Sequence, residues 1–207
     1  MTIQIVDLPA RDAQSWLRPA LTVYVTAMRY PAGTEIHREP LWREHITRPG
    51  WRAVGALLYD DEPAARTRSS SSSPRLVGIA YGYRGAPNQW WHQQLRTGLR
   101  VSGYSRDHIE RILDNYFELT ELHVHPDVQG RGVGAALLAR LLADRPEDRV
   151  LLSTPEVPGE SNRAWRLYRR FGFLDVLRHF TFTGDPRPFA VLGRDLPLAR
   201  PTDTPRP

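Results

Sequence analysis

A glycine-rich turn at residues 129–134 (QGRGVG) has the residue types and spacing to bind a phosphate group. It follows a short apolar run, residues 119–124 (LTELHV), which Pro126 ends because proline has no N–H to give to a sheet ladder. It leads into residues 133–142 (VGAALLARLL), whose apolar positions have helical spacing. The first turn of a helix has unpaired N–H groups and a partial positive charge, and glycine lets a phosphate approach the backbone. The sequence therefore predicts a strand, a phosphate-binding turn and a helix, in this order.

Three kinds of glycine-rich phosphate site were candidates for this turn, and two of them do not fit the sequence. A P-loop requires a lysine followed by serine or threonine, but the chain contains no lysine, so all 28 basic residues are arginine. A dinucleotide-binding fingerprint, G-x-G-x-x-G, follows the first strand of a βαβ unit. Here the glycines are spaced G-x-G-x-G, more than halfway along the chain. The third pattern, Q/R-x-x-G-x-G/A, is matched at every fixed position by Gln129, Gly132 and Gly134.

The matched turn, preceded by Val124, His125 and Pro126, resembles motif A of the GNAT superfamily of acyl-CoA-dependent N-acyltransferases. A second segment typical of this superfamily follows at the expected distance, in residues 162–173 (NRAWRLYRRFGF). Two motifs in the correct order are much harder to meet by chance than one. The resemblance extends over nearly the whole chain.

The resemblance implies that acetyl-CoA is the co-substrate and that two backbone segments bind it. Amide groups of the turn would hold the pyrophosphate, and spare groups of the preceding strand would hold the pantetheine arm and polarise the thioester carbonyl. The implied cofactor-binding residues are Leu122, His123, Val124, Gln129, Gly130, Arg131, Gly132, Val133, Gly134, Ala135, Asn162 and Arg169, with Arg170 as a further phosphate candidate.

Acyl transfer to an amine also needs a proton donor for the leaving thiolate and a base for the ammonium group. By resemblance the donor is Tyr168, which has the place of the family tyrosine in the second motif. Glu118 and Glu121 are alternative bases, and the sequence does not choose between them. Strand alternation puts Glu118 on one face with Leu122, and Glu121 on the other face with His123.

The order of elements around these motifs also resembles the GNAT fold. It predicts an α/β protein of the α+β type, with a mixed twisted central sheet flanked by helices and a helical insertion, residues 84–117, between strands 3 and 4. We expect a helix over residues 19–28, with Pro19 in its first turn. Inside the insertion we expect two further helices, over residues 88–99 and 106–117. Residues 1–198 are expected to form a single domain with a flexible serine loop at 69–73, and residues 199–207 a disordered tail.

Composition excludes several other classes of protein. The chain has no cysteine, which excludes disulfides and thiolate metal sites, and His123 and His125 have no further ligands at metal spacing. The formal net charge is +5, but the arginines are scattered, so we expect no nucleic-acid binding. No signal peptide or membrane-spanning run is apparent, so we expect a cytoplasmic protein that does not bind membranes. The family also allows a homodimer, for which no residue gives support.

Two functional hypotheses remain open at this point. The first is an N-acetyltransferase that transfers the acetyl group of acetyl-CoA to a primary amine, by direct attack in a ternary complex. Its acceptor is a small molecule or a peptide that the sequence does not identify. The alternative is a non-catalytic acyl-CoA-binding or regulatory module of the same fold. The presence of Tyr168 favours the enzyme.

Overall fold

A computed structural model describes residues 1–59 and 73–198. The predicted tail and the predicted serine loop, apart from Ser73, lie outside these residues. The strands are β1 Thr2–Asp7, β2 Arg52–Tyr59, β3 Arg75–Arg84, β4 Tyr116–Val124, β5 Arg149–Pro155, β6 Leu174–Phe180 and β7 Phe189–Asp195. The helices are α1 Ala13–Met28, α2 Thr34–Ile46, α3 Trp90–Val101, α4 Arg106–Leu113, α5 Val133–Leu142 and α6 Arg163–Arg170.

The strands form a mixed sheet in the order β1-β2-β3-β4-β5-β7-β6, and helices flank it. β4 and β5 pair in parallel, whereas β1 with β2, β2 with β3, and β7 with both of its neighbours are antiparallel. This confirms the predicted fold class, including the helical insertion between β3 and β4. The chain divides into two compact units: unit 1 is Met1–Tyr83 with Thr120–Leu141, and unit 2 is Arg84–Leu119 with Leu142–Pro207, each within the described ranges.

Unit 1 contains β1, β2, β3, the end of β4, and helices α1, α2 and most of α5. Its aromatic-rich core includes Trp16, Tyr24, Trp42 and Tyr81. Helix α5 approaches β3 closely at Gly78, where an added Cβ would lie 3.0 Å from Leu137 Cδ1 and 3.4 Å from Val133 Cγ1. Since a side chain there would push the helix outward, glycine sets the distance between β3 and the first turn of α5.

Unit 2 contains the beginning of β4, the strands β5, β6 and β7, and helices α3, α4 and α6. β5 pairs with β7 along all of its length, and with β4 at Tyr116–Glu118. The α3–α4 pair packs on this part of the sheet through Leu95, Leu99 and Ile112. A Cβ at Gly98 of α3 would lie 2.6 Å from the Phe180 ring, so α3 lies directly on β6.

Two predicted helix boundaries are wrong. Helix α1 begins at Ala13, so Pro19 lies inside the helix and not in its first turn, because Trp16 and Leu17 are buried and extend the apolar face backward. Helix α4 ends at Leu113 and not at residue 117. The chain turns at Asn115, which has a φ of 30°, and Tyr116 begins β4.

Candidate active site

The glycine-rich turn lies between β4 and α5, as the sequence predicts. A 3-10 turn, Pro126–Val128, leads to Gln129, and the Gln129 side-chain amide donates a hydrogen bond to the Val124 carbonyl at 2.8 Å. Gly130 and Gly132 have φ angles of 81° and 80°, and a Cβ on either would meet no atom within 4 Å. Glycine is therefore needed at both positions for backbone conformation and not for space.

The amides of this turn are suited to an anion. The first helical hydrogen bond of α5 runs from the Ala136 N–H to the Gly132 carbonyl at 3.0 Å. The N–H groups of Val133, Gly134 and Ala135 precede it, so they have no acceptor inside the helix. Gly130, Arg131 and Gly132 are exposed, so a ligand has access to the turn. Geometry and helix polarity thus fit a phosphate group.

Glu121 and His123 form a close pair in unit 1. The Glu121 Oε2 and His123 Nε2 atoms are 2.5 Å apart, and the side chains are only 16% and 11% exposed. They are two positions apart on β4 and share a face of the strand, as the alternation predicts. A largely buried carboxylate and imidazole in contact can accept and pass on a proton.

Two residues that the sequence analysis missed contact this pair or act on it. The Tyr24 ring of α1 packs edge-on against the His123 ring, with 5.0 Å between centroids. The Arg38 Nε of α2 donates a hydrogen bond to the Tyr24 hydroxyl at 2.9 Å. Burial raises the pKa of Tyr24 to about 12, and the negative charge of Glu121 adds to this effect. Tyr24 therefore stays a neutral phenol beside the pair.

His45 of α2 belongs to the same polar group of unit 1. Its Nδ1 is 3.0 Å from the Tyr81 hydroxyl, and its ring lies 5.1 Å from the ring of Tyr83. Burial, reinforced by the charge of Arg48, lowers the pKa of His45 to about 4. His45 is therefore a neutral hydrogen-bonding partner at neutral pH, and it orients the Tyr81 hydroxyl.

Glu118 lies in a different setting from Glu121. It belongs to unit 2, is only 4% exposed, and stands on the part of β4 that pairs with β5, opposite Leu151. The two candidate bases therefore differ in burial and in neighbours. Glu121 is in contact with the imidazole of His123.

The second motif forms helix α6 in unit 2. Asn162 is its N-cap, and its side-chain oxygen accepts a hydrogen bond from the Trp165 N–H at 2.9 Å. Gly172 follows the helix with a φ of 76°, the left-handed conformation expected there. Tyr168 is 7% exposed, and its ring lies 5.6 Å from that of Phe173. The structure thus shows Asn162 as a helix cap, while its contact with the cofactor stays a prediction.

Arg169 has partners within unit 2 that the sequence did not indicate. Its guanidinium donates two hydrogen bonds to Glu160, at 2.8 and 2.6 Å, one to Asp175 at 2.6 Å, and one to the Phe173 carbonyl at 3.0 Å. The hydrogen bond to Glu160 is the main reason why the pKa of Arg169 is raised above its usual range. A phosphate contact would have to compete with these partners. Arg170 is exposed and has no ion pair with a described residue.

Residues 1–59 and 73–198 contain no group of three histidine, aspartate or glutamate side chains placed to hold a metal ion. His125 makes local contacts, since its Nδ1 accepts a weak hydrogen bond from the Asp127 N–H at 3.4 Å. Among the described helices, none is long and apolar enough to span a membrane.

Comparison with known proteins gives the family. The model of the acetyltransferase (GNAT) domain matches residues 99–174. The GCN5-like protein acetyltransferase Rv2170 of Mycobacterium tuberculosis is 55% identical over 206 residues, which cover 96% of this chain and all of the relative. The chain therefore belongs to the GNAT acetyltransferase family, and it is an acyltransferase. Nothing in the comparisons favours the non-catalytic alternative.

Solved structures are similar in fold at low sequence identity. A GNAT-family acetyltransferase from Desulfovibrio desulfuricans has a TM-score of 0.57 and 16% identity, over 94% of this chain and 99% of its own. The PaiA N-acetyltransferase of Thermoplasma acidophilum, solved with coenzyme A, has a TM-score of 0.54 and 13% identity, over 95% of this chain and all of its own. At this identity the two structures support the fold alone.

Proposed function

We propose that this acyltransferase moves the acetyl group of acetyl-CoA to a primary amine of a protein or peptide, by direct attack in a ternary complex. Membership of the GNAT family supports the donor. The acceptor class is supported by the name of the 55% identical relative, a protein acetyltransferase. The amine nitrogen bonds to the thioester carbonyl carbon, the carbon–sulfur bond breaks, and the products are an amide, the free thiol of coenzyme A and a proton.

Binding of acetyl-CoA is assigned to the turn and to the strand before it. The N–H groups of residues 130–135 would hold the pyrophosphate, with help from the positive end of α5 and the charge of Arg131. Backbone groups of Leu122, His123 and Val124 would bind the pantetheine arm and polarise the thioester carbonyl. The left-handed glycines of an exposed turn are the observation that carries this assignment, because successive N–H groups in such a turn can form an anion-binding concavity.

Glu121 is the preferred base, and His123 its positioning partner. An alkyl ammonium group is mostly protonated at neutral pH, so its proton must be removed before the nitrogen can attack. The contact with His123 uses Oε2 of Glu121 and leaves Oε1 to accept that proton. Glu118 is less suited to this role because it is only 4% exposed and an ammonium group would have to lose its hydration to reach it.

Tyr168 is the proposed acid. A phenol has an ordinary pKa near 10, so it is protonated at neutral pH and can donate to a nascent thiolate. The proton that Tyr168 gives to the sulfur would be restored from water. The family motif supports this role, and the low exposure of Tyr168 suits a donor that must compete with solvent.

Matched glycine variants test the cofactor site. Gly132→Ala and Gly184→Ala impose the same strain, because both glycines have strongly positive φ angles, 80° and 88°, and open space around the position of a Cβ. We expect both variants to lose stability by roughly 1–2 kcal/mol. Only Gly132→Ala should weaken coenzyme A binding, by about tenfold or more, in calorimetric titration.

Turnover is then measured as thiol release with acetyl-CoA and a panel of acceptors: a lysine peptide, a peptide with a free N-terminus, and a polyamine. We expect release with at least one peptide, and a lower rate in Gly132→Ala than in Gly184→Ala. Equal coenzyme A affinity in the two variants would remove the turn from the cofactor site. Thiol release with the polyamine alone would exclude the peptide acceptor.

A further inference from the structure

A cavity of about 350 Å³ lies in the α3–α4 hairpin of unit 2, within the helical insertion between β3 and β4. This volume is at the lower end of the range for small-molecule sites. Half of the residues around it are arginines; the lining is Arg96, Thr97, Arg100, Tyr104, Arg106 and Ile109. We define these six residues as the hairpin pocket.

Only one of the three arginines is neutralised. Arg96 makes a two-pronged ion pair with Glu110, with both donor–acceptor distances 2.8 Å. This pairing lowers the pKa of Glu110, which therefore stays charged at neutral pH. Neither Arg100 nor Arg106 has a carboxylate within ion-pair distance among the residues that the structure describes. The pocket thus has two positive charges in excess.

Arg106 occupies a position where a cation is unfavourable. It is the first residue of α4, next to the Ser105 cap, whose hydroxyl accepts a hydrogen bond from the His108 N–H. Cations are disfavoured at the positive end of a helix, and anions are favoured there. An anion bound beside Arg106 would interact well with both the guanidinium and the helix end.

The uncharged part of the pocket is fixed by contacts. Tyr104 donates a hydrogen bond from its hydroxyl to the Val176 carbonyl at 3.1 Å, and its ring lies 5.0 Å from that of His108. Ile109 is 5% exposed and packs in the core of unit 2. Because Tyr104 and Ile109 are fixed by these contacts, the arginines line a cavity of defined shape and are not simply part of a scattered basic surface.

We propose that the hairpin pocket binds a small organic anion with two negative charges, carboxylate or phosphate, between Arg100 and Arg106. A guanidinium matches either group with two parallel hydrogen bonds. The anion is either a free small molecule or the acidic side chains of a peptide. In both cases binding adds a recognition site to the segment that the family motifs leave unexplained.

The test titrates the whole protein with succinate, inorganic phosphate and an acidic peptide, at constant ionic strength set with chloride. Thermal unfolding and calorimetry report binding. The double variant carries Arg100→Gln together with Arg106→Gln. The control is Arg111→Gln, which removes an exposed arginine of α4 outside the pocket. Unfolding in chloride alone checks that each variant is folded.

We expect saturable binding of succinate or phosphate to the unmodified protein, unchanged in Arg111→Gln and weakened by about tenfold or more in the double variant. The double variant should still bind phosphate at the glycine-rich turn. Only the phosphate binding that the double variant loses is therefore assigned to the hairpin pocket. Tighter binding of the acidic peptide than of succinate would assign the anion to a peptide, and the reverse to a free molecule. Equal affinities in the double variant and the control, or no saturation, would overturn the proposal.

Discussion

Removal of the buried histidine His45 gives a pH-dependent change in stability that follows from the structure. Its side chain is neutral in the folded protein, because burial and Arg48 lower the pKa from 6.5 to about 4. In the unfolded chain the imidazole takes up a proton below its ordinary pKa near 6.5. Between these two values the unfolded state binds more protons than the folded state, so stability falls as the pH is lowered from 6.5 towards 4.

The size of the effect follows from the shift. Each unit of difference in pKa between the two states is worth about 1.4 kcal/mol. The contribution of neutral His45 to the free energy of unfolding is fully present above about pH 6.5. This contribution has fallen by about 2 kcal/mol at about pH 5, and by about 3 kcal/mol near pH 4. Other groups also titrate in this range, so the comparison must be with a variant that lacks only this imidazole.

Urea unfolding at about pH 7.5 and about pH 5 measures the difference for the unmodified protein, His45→Gln and His37→Gln. His37 is the matched control, since it is an exposed histidine on the same helix. The unmodified protein and His37→Gln should lose about 2 kcal/mol more between the two pH values than His45→Gln does. If all three lose the same amount, His45 is not held neutral by burial and the reasoning fails.

Three further predictions concern the catalytic assignments. Glu121→Gln should lower kcat by about 10²–10⁴-fold near neutral pH and recover partly at alkaline pH, whereas Glu118→Gln should change kcat far less; the pH–rate profile of each variant decides. Tyr168→Phe should lower kcat by roughly 10²-fold with little change in coenzyme A affinity, while Tyr59→Phe, which loses a hydroxyl of an exposed tyrosine on β2, should keep kcat; steady-state kinetics and calorimetry separate the two. Arg169→Gln should cost about 1 kcal/mol in urea unfolding, because its ion pairs are partly exposed, and should leave coenzyme A affinity unchanged; a tenfold loss of affinity would instead make it a phosphate ligand.

The parts of the fold that could be predicted are those that short-range signals determine. The glycine spacing of residues 129–134 marks the turn because only glycine adopts the left-handed conformation there without strain. Asn162 is a residue type favoured at the start of a helix and precedes an apolar helical pattern, so this helix start depends on local sequence. Each of these features depends on residues within a few positions of one another.

The features that could not be predicted depend on contacts between residues that are distant in the chain. Tyr116 continues the helical spacing of α4, but pairing with Arg149 makes it the first residue of a strand. Tyr24 lies in an apolar stretch, and no residue near it in the sequence indicates its contact with His123, about a hundred positions away. The sequence also did not show that Glu160 and Asp175, which flank α6, form ion pairs with Arg169, whose contact with the cofactor stays a prediction.

The most direct test of the proposed function follows the acetyl group itself. The protein has no lysine, so it adds no lysine background to an acetylation assay. The protein is incubated with isotopically labelled acetyl-CoA and a protein mixture, and the acetyl groups gained by the acceptors are compared with the thiol released. We predict one labelled amide on an acceptor amine for each thiol released, and loss of both signals in Glu121→Gln. Thiol release without labelled acceptors, or label held covalently on the enzyme, would contradict direct transfer to a protein amine.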